Sequence, residues 1–166
     1  MEKQVATFYL RNEYLGIDIR YVREIYQKAD IVPVPRTPDA VHGLLNLRGQ
    51  VFAALDLAFC LGLEGHVYAE NPNLMVLKST RDLRAVNSEE EASELTGLLD
   101  DPCCLLIDEI ADVVTVDAAA IEPSPTHTGT IGSSWVEGVV QRPDRLLALL
   151  DLKAILHALL GSKESV

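Results

Sequence analysis

Val41-His42-Gly43-Leu44-Leu45-Asn46 and Val136-Glu137-Gly138-Val139-Val140-Gln141 carry one pattern twice, 95 residues apart. The register continues without a gap. Val51-Phe52-Ala53-Ala54-Leu55-Asp56-Leu57 falls on Leu146-Leu147-Ala148-Leu149-Leu150-Asp151-Leu152, so apolar character, an alanine and an aspartate recur together. Upstream, a second set aligns at an offset of 90: Ile17-Asp18 with Ile107-Asp108, Ile31 with Ile121, and Pro33 and Pro35 with Pro123 and Pro125. Two copies are too few for a solenoid. The repeat therefore predicts two similar small β units sharing one core, each contributing a hairpin and a short helix. A groove between two such lobes, lined by apolar side chains from both, is a natural place for a partner.

Outward from the repeat, the chain remains mostly β. Val5-Ala6-Thr7-Phe8-Tyr9-Leu10 and Tyr14-Leu15-Gly16-Ile17-Asp18-Ile19 flank the polar Arg11-Asn12-Glu13, which predicts a hairpin. Pro33, Pro35 and Pro38 forbid a long helix and favour extended backbone before Val41. Asp56 and Asp151 each stand where a side-chain carboxylate can cap the free N–H groups of a helix. Leu57, Cys60 and Leu61 follow the first at helical spacing and end at Gly62; Leu152, Ile155, Leu156, Leu159 and Leu160 follow the second and end at Gly161.

The formal net charge of −11 is unevenly placed. Residues 1–66 carry −1, residues 67–120 carry −9 and residues 121–166 carry −1. The acidity belongs to the middle section, and within it residues 79–102 hold Glu89-Glu90-Glu91 and Glu94 among few large apolar groups; this predicts an acidic surface loop inserted in one domain of 166 residues. Phosphate backbones would be repelled, and no basic stripe with interleaved aromatics offsets that field, so nucleic acid is not an expected partner. No apolar run approaches the roughly 18 to 20 residues that span a bilayer, and Met1-Glu2-Lys3-Gln4 leads straight into a strand-like segment. A protein neither secreted nor membrane-inserted is expected. Cys60, Cys103 and Cys104 lack CxxC spacing and sit among apolar residues, which suits small buried hydrophobes in a reducing, cytoplasmic compartment.

Catalytic patterns are missing from the sequence. Ser133-Ser134 lies in no GxSxG elbow, no cysteine has a histidine nearby, and no phosphate-cradling glycine loop occurs. His42, His66, His127 and His157 are scattered without ligand spacing, so neither metal nor cofactor is expected. Asp56 and Asp151 could be imagined as an acid–base pair, but equivalent places in a repeat, each before a helix, are explained by capping.

What remains is Asn46-Leu47-Arg48-Gly49, where the first copy departs from Gln141-Arg142-Pro143-Asp144 in the second. Either it is a generic surface turn, or the glycine supplies a permissive backbone that lets the arginine project and fork onto a carboxylate. Gly43-Leu44-Leu45-Asn46-Leu47-Arg48-Gly49, followed by a strand ending in Asp56-Leu57, resembles the hallmark of the CheW family of chemotaxis coupling proteins. Tyr14 to Ile19, Val22-Arg23-Glu24-Ile25 and Leu106 to Val113 extend the likeness over nearly the whole chain outside the acidic insertion.

The resemblance implies two small five-stranded β-barrels around a shared core, with short helices and a C-terminal helix, and no enzymatic activity. It also implies two partners, the cytoplasmic tip of a chemoreceptor and the regulatory domain of a CheA-type histidine kinase. By position Arg48 looks like the family's central arginine and Glu24 like the glutamate that pairs with it, so Glu24, Asn46, Leu47, Arg48 and Gly49 are the expected partner-binding residues. Ala53 stands where the family commonly has proline, and the acidic connection is longer than usual, which leaves a pilus-based or other chemosensory system open. With no receiver domain after Val166, a fused adaptor–receiver is not expected. The alternative function is a small-molecule sensor with its ligand in the cleft between the lobes.

Overall fold

A computed structural model describes residues 1–36, 39–79, 81–82, 101–124, 127–128 and 131–160. Twelve strands are described: β1 (Glu2–Leu10), β2 (Glu13–Asp18), β3 (Val22–Tyr26), β4 (Val41–Leu47), β5 (Gln50–Leu55), β6 (Asn73–Leu77), β7 (Cys103–Ile107), β8 (Glu109–Asp117), β9 (His127–Thr128), β10 (Ile131–Gly132), β11 (Val136–Gln141) and β12 (Leu146–Leu150). Two helices, α1 (Leu57–Leu61) and α2 (Leu152–Leu160), follow β5 and β12. Pro38, Pro125, Gly161 and nearly all of the expected acidic loop over 79–102 lie outside the described residues.

Both capping aspartates do what their position predicts. Asp56 Oδ1 accepts from the Phe59 N–H at 3.1 Å, and Asp151 Oδ1 accepts from the Ala154 N–H at 3.1 Å. Gly62 ends α1 in the left-handed region, at φ 77°. The β1–β2 hairpin is also present, with Leu10 opposite Glu13.

Apart from the short β9–β10 pair, the strands form two five-stranded sheets, β11-β12-β2-β1-β8 and β3-β6-β7-β5-β4. Replacing each strand by its counterpart in the other half (β1 by β6, β2 by β7, β3 by β8, β4 by β11, β5 by β12) turns one order into the other. The halves of the sequence are nevertheless not the lobes. β1 and β2 join β8, β11 and β12 in one sheet, while β6 and β7 join β3, β4 and β5 in the other. Parallel pairing stitches them together: Ala148 and Leu149 lie beside Leu15 and Gly16, and Ala53 to Leu55 beside Cys103 to Leu105.

Each sheet also closes on itself. Val32, beyond the end of β3, exchanges hydrogen bonds of 2.8 and 2.9 Å with Leu44 of β4; Glu122, beyond β8, exchanges two of 2.9 Å with Val139 of β11. The closing segments pass directly over the repeat's glycines. A Cβ at Gly43 would lie 2.6 Å from the Val32 carbonyl oxygen, and one at Gly138 would lie 2.9 Å from that of Glu122. Only glycine admits so close a backbone approach.

Closure creates three apolar interiors. Val5, Val116, Val140, Leu147 and Leu149 fill one barrel. Leu45, Leu47, Phe52, Leu74, Cys104 and Leu106 are among those filling the other. Between them a larger cluster draws Phe8 and Leu15, Leu55 and Met75, Leu105, and Ile155 and Leu156 of α2 into the shared core. The uninterrupted apolar run Cys103 to Ile107 is accounted for here, because alternate residues of β7 face a barrel interior and the shared core.

Candidate functional site

The β4–β5 hairpin closes on two residues, with Leu47 opposite Gln50. Both central residues have positive φ, 54° at Arg48 and 82° at Gly49, which makes this a type I′ turn. Glycine accepts that conformation freely, whereas an arginine there gives up roughly 1–2 kcal/mol. Two neighbours hold it. Asn46 Oδ1 accepts the Gly49 N–H at 2.9 Å, and Leu47, only 6% exposed, anchors the strand end in the barrel interior.

Thus held, the Arg48 side chain projects with 69% of its surface exposed, and its Nη2 donates to Glu24 Oε2 at 2.9 Å. Glu24 lies on β3, at the opposite edge of the same sheet, so the ion pair spans the seam where the barrel closes. A pair this exposed contributes only about 0–1 kcal/mol to stability. Its significance is orientation: a planar guanidinium fixed by one carboxylate still presents N–H groups that can fork onto another. A hollow of about 100 Å³ beside it is lined by Arg23, Glu24, Leu47, Arg48, Gln50 and Phe52. Val51, opposite Asn46 in register, adds an exposed apolar neighbour.

Of the five residues expected to bind partners, Glu24, Asn46, Arg48 and Gly49 therefore come together at one surface. Leu47 reaches that surface only at the floor of the hollow and is otherwise buried. As the inward residue of an alternating strand it packs with Phe52 and Leu45, so it supports the turn from beneath. Arg23, Gln50 and Val51 were not singled out from the sequence, since exposed strand residues leave no signal beyond alternation.

The second hairpin is built differently. Arg142 donates its N–H to the Arg145 carbonyl across Pro143-Asp144, neither of which has positive φ, and Arg145 is taken up by its own chain. Its Nη1 donates to the Tyr9 hydroxyl at 2.8 Å, and its guanidinium lies 5.2 and 5.6 Å from the centres of the Tyr9 and Tyr14 rings.

A polar network lies under α1. The Tyr68 hydroxyl donates to Asp56 Oδ1 at 2.8 Å and accepts the Ala58 N–H at 3.0 Å; burial first, then the Asp56 charge, hold its pKa above the ordinary tyrosine value. His66 Nε2 lies 3.0 Å from Asp108 Oδ1, and Asp108 Oδ2 accepts the Arg11 N–H at 2.6 Å. Tyr68 had no motif to mark it. Burial pushes the Cys60 thiol up to about 12 and raises that of Cys104, which suits packing rather than nucleophilic chemistry. Among the described residues no three His, Cys, Asp or Glu side chains gather as metal ligands, and no helix is long and apolar enough to cross a membrane.

Comparison with known proteins decides the family. A CheW-like domain model matches residues 4–160. The chain belongs to the CheW family. Among its relatives, the chemotaxis protein CheW of Klebsiella aerogenes is 29% identical over 94% of this chain and 82% of that protein. The chemotaxis protein CheW of Treponema pallidum is 29% identical over 97% and 84%. In three dimensions the chain is similar to the scaffolding protein TtCheW of Thermoanaerobacter tengcongensis, with a TM-score of 0.71, 25% identity, and coverage of 93% of this chain and 88% of that one. The two-lobed CheW fold and the repeat read from the sequence are the same feature.

Proposed function

We propose that this CheW-family chain is a non-catalytic, cytoplasmic adaptor that couples chemoreceptors to a CheA-type histidine kinase in a chemosensory array. The observation that carries the reading is the exposed Arg48, held across a barrel seam by Glu24, in a chain matched to the family from residue 4 to residue 160. An adaptor needs a preorganised surface more than a deep cavity, because orienting an interface side chain before binding lowers the entropic cost of association.

A small-molecule sensor would need a pocket with an apolar lining and a few convergent polar groups. Two hollows beside the crossover from β2 to β3, of about 290 and 510 Å³, instead share Lys3, Asp18 and Arg20, and these charges engage one another. Lys3 lies 3.8 Å from Asp18 and 3.4 Å from Glu137, while Arg20 donates to both Asp18 carboxylate oxygens.

The test is the affinity of parent and Arg48→Glu proteins for a receptor cytoplasmic fragment and for a kinase regulatory domain. Truncating or reversing an orienting arginine within an interface is expected to weaken binding roughly thirtyfold or more, about 2 kcal/mol. Both affinities within about threefold of the parent would remove Arg48 from the interface.

A further inference from the structure

We infer that Asn46 is a positioning residue for the docking surface: it holds the Arg48-Gly49 turn in the left-handed conformation that keeps the Arg48 guanidinium at the Glu24 seam, and acts on partners through Arg48. This rests on the reading that Arg48 carries docking.

The argument begins with the turn. A type I′ turn favours asparagine, aspartate or glycine at its first central position, and here that position is Arg48 at φ 54°. The residue type that suits the turn stands two positions earlier, at Asn46. From there its Oδ1 reaches forward to the Gly49 N–H at 2.9 Å, so a side-chain acceptor supports a backbone conformation that arginine would otherwise leave readily.

The second copy of the repeat is an internal control. Gln141 occupies the place of Asn46 and has one more methylene. Its amide donates to the Arg142 carbonyl at 2.9 Å, on the neighbouring residue, instead of accepting from the turn. Neither Pro143 nor Asp144 in that turn has positive φ, and the arginine that follows them lies on Tyr9 and Tyr14. Where the asparagine is replaced, the left-handed turn and the seam-spanning arginine are both missing.

Geometry explains why a small change in the turn matters. Asn46 and Leu47 are adjacent strand residues and so point to opposite faces, one exposed and one in the barrel. Leu47 fixes the depth of the strand end, while the Asn46–Gly49 bond fixes the path of the chain beyond it. The Arg48–Glu24 contact at 2.9 Å depends on that path, because the two residues come from opposite edges of the sheet.

The experiment is a double-mutant cycle of Asn46→Ala and Arg48→Ala, with Asn46→Asp as the conservative variant that keeps an acceptor oxygen. Affinities for a receptor cytoplasmic fragment and a kinase regulatory domain are measured, together with amide exchange of Gly49 by NMR in the free protein and the thermal midpoint. Asn46→Ala is expected to speed Gly49 exchange and weaken binding about three- to tenfold, the range that loss of one hydrogen bond implies. Asn46→Asp should restore both, and Asn46→Ala should add less than about twofold in the Arg48→Ala background. Equal loss in both backgrounds would make Asn46 a direct contact and overturn the proposal. So would unchanged Gly49 exchange in Asn46→Ala, or loss of binding in Arg48→Ala with none in Asn46→Ala. Parental affinity in Arg48→Ala would instead overturn the docking reading, and this inference with it.

Discussion

The two hairpins, β4–β5 and β11–β12, occupy equivalent places in the two barrels and end in opposite uses of an arginine. In the first, a two-residue turn presents Arg48 across the seam to Glu24 and solvent. In the second, a turn without positive φ folds Arg145 onto Tyr9 and Tyr14 of the neighbouring hairpin. The frames are alike, down to the glycine beneath each closing segment. Duplication therefore supplied two equal scaffolds, and divergence within a few residues left one tip open and occupied the other.

The largest expected effect separates the two strand ends. Leu47 is buried, whereas its repeat counterpart Arg142 is half-buried. Leu47→Ala is expected to destabilise by about 2–5 kcal/mol. Arg142→Ala should stay within about 0.5 kcal/mol. Thermal midpoints check both, at roughly 2–4 °C per kcal/mol for a chain of this size. Equal midpoints would mean that the Leu47 anchor is not what distinguishes the hairpins.

Next come Gly43→Ala and Gly138→Ala, which should behave alike. Each new Cβ meets a carbonyl oxygen and an isoleucine methyl, so each is expected to cost about 1–3 kcal/mol in chemical denaturation. A neutral result at one site would show that its barrel is not closed in the way of the other.

The helix caps should differ by less. Asp151→Ala is expected to cost about 1 kcal/mol as a lost cap, and Asp56→Ala about 1 kcal/mol more because Tyr68 also loses its acceptor. The same tyrosine gives a signature in pH. With its pKa raised above 10.0, the folded chain keeps a proton that the unfolded chain releases, so stability falls as pH rises past about 10. Tyr68→Phe should make that alkaline fall shallower in denaturation curves taken at several pH values.

The smallest effect on stability is expected at the arginines. Arg145→Ala should cost about 0.5–1 kcal/mol through its ring contacts, and Arg48→Ala about 0–1 kcal/mol. Partner affinity should reverse that order, with Arg48→Ala the more damaging.

Alternation, turn residues and capping aspartates are local, and they were legible because side-chain period and hydrogen-bond reach act over a few residues. Thus the β1–β2 hairpin, α1 with its Asp56 cap and its Gly62 stop, and a turn within Asn46-Leu47-Arg48-Gly49 follow from neighbouring residues. The register of the repeat was legible too, since equivalent environments demand equivalent residues, and it announced two like lobes before any coordinate.

Which strands build which lobe was decided only in three dimensions. A hairpin pattern is equally satisfied inside its own half or beside a strand of the other, and only the burial of β2 against β12 and of β7 against β5 selects the exchanged arrangement. Tertiary structure likewise placed Leu47 inward, Tyr68 on Asp56, and Glu24 within reach of Arg48. The last two contacts join residues 12 and 24 positions apart that carry no common pattern, and a barrel must close before its seam exists.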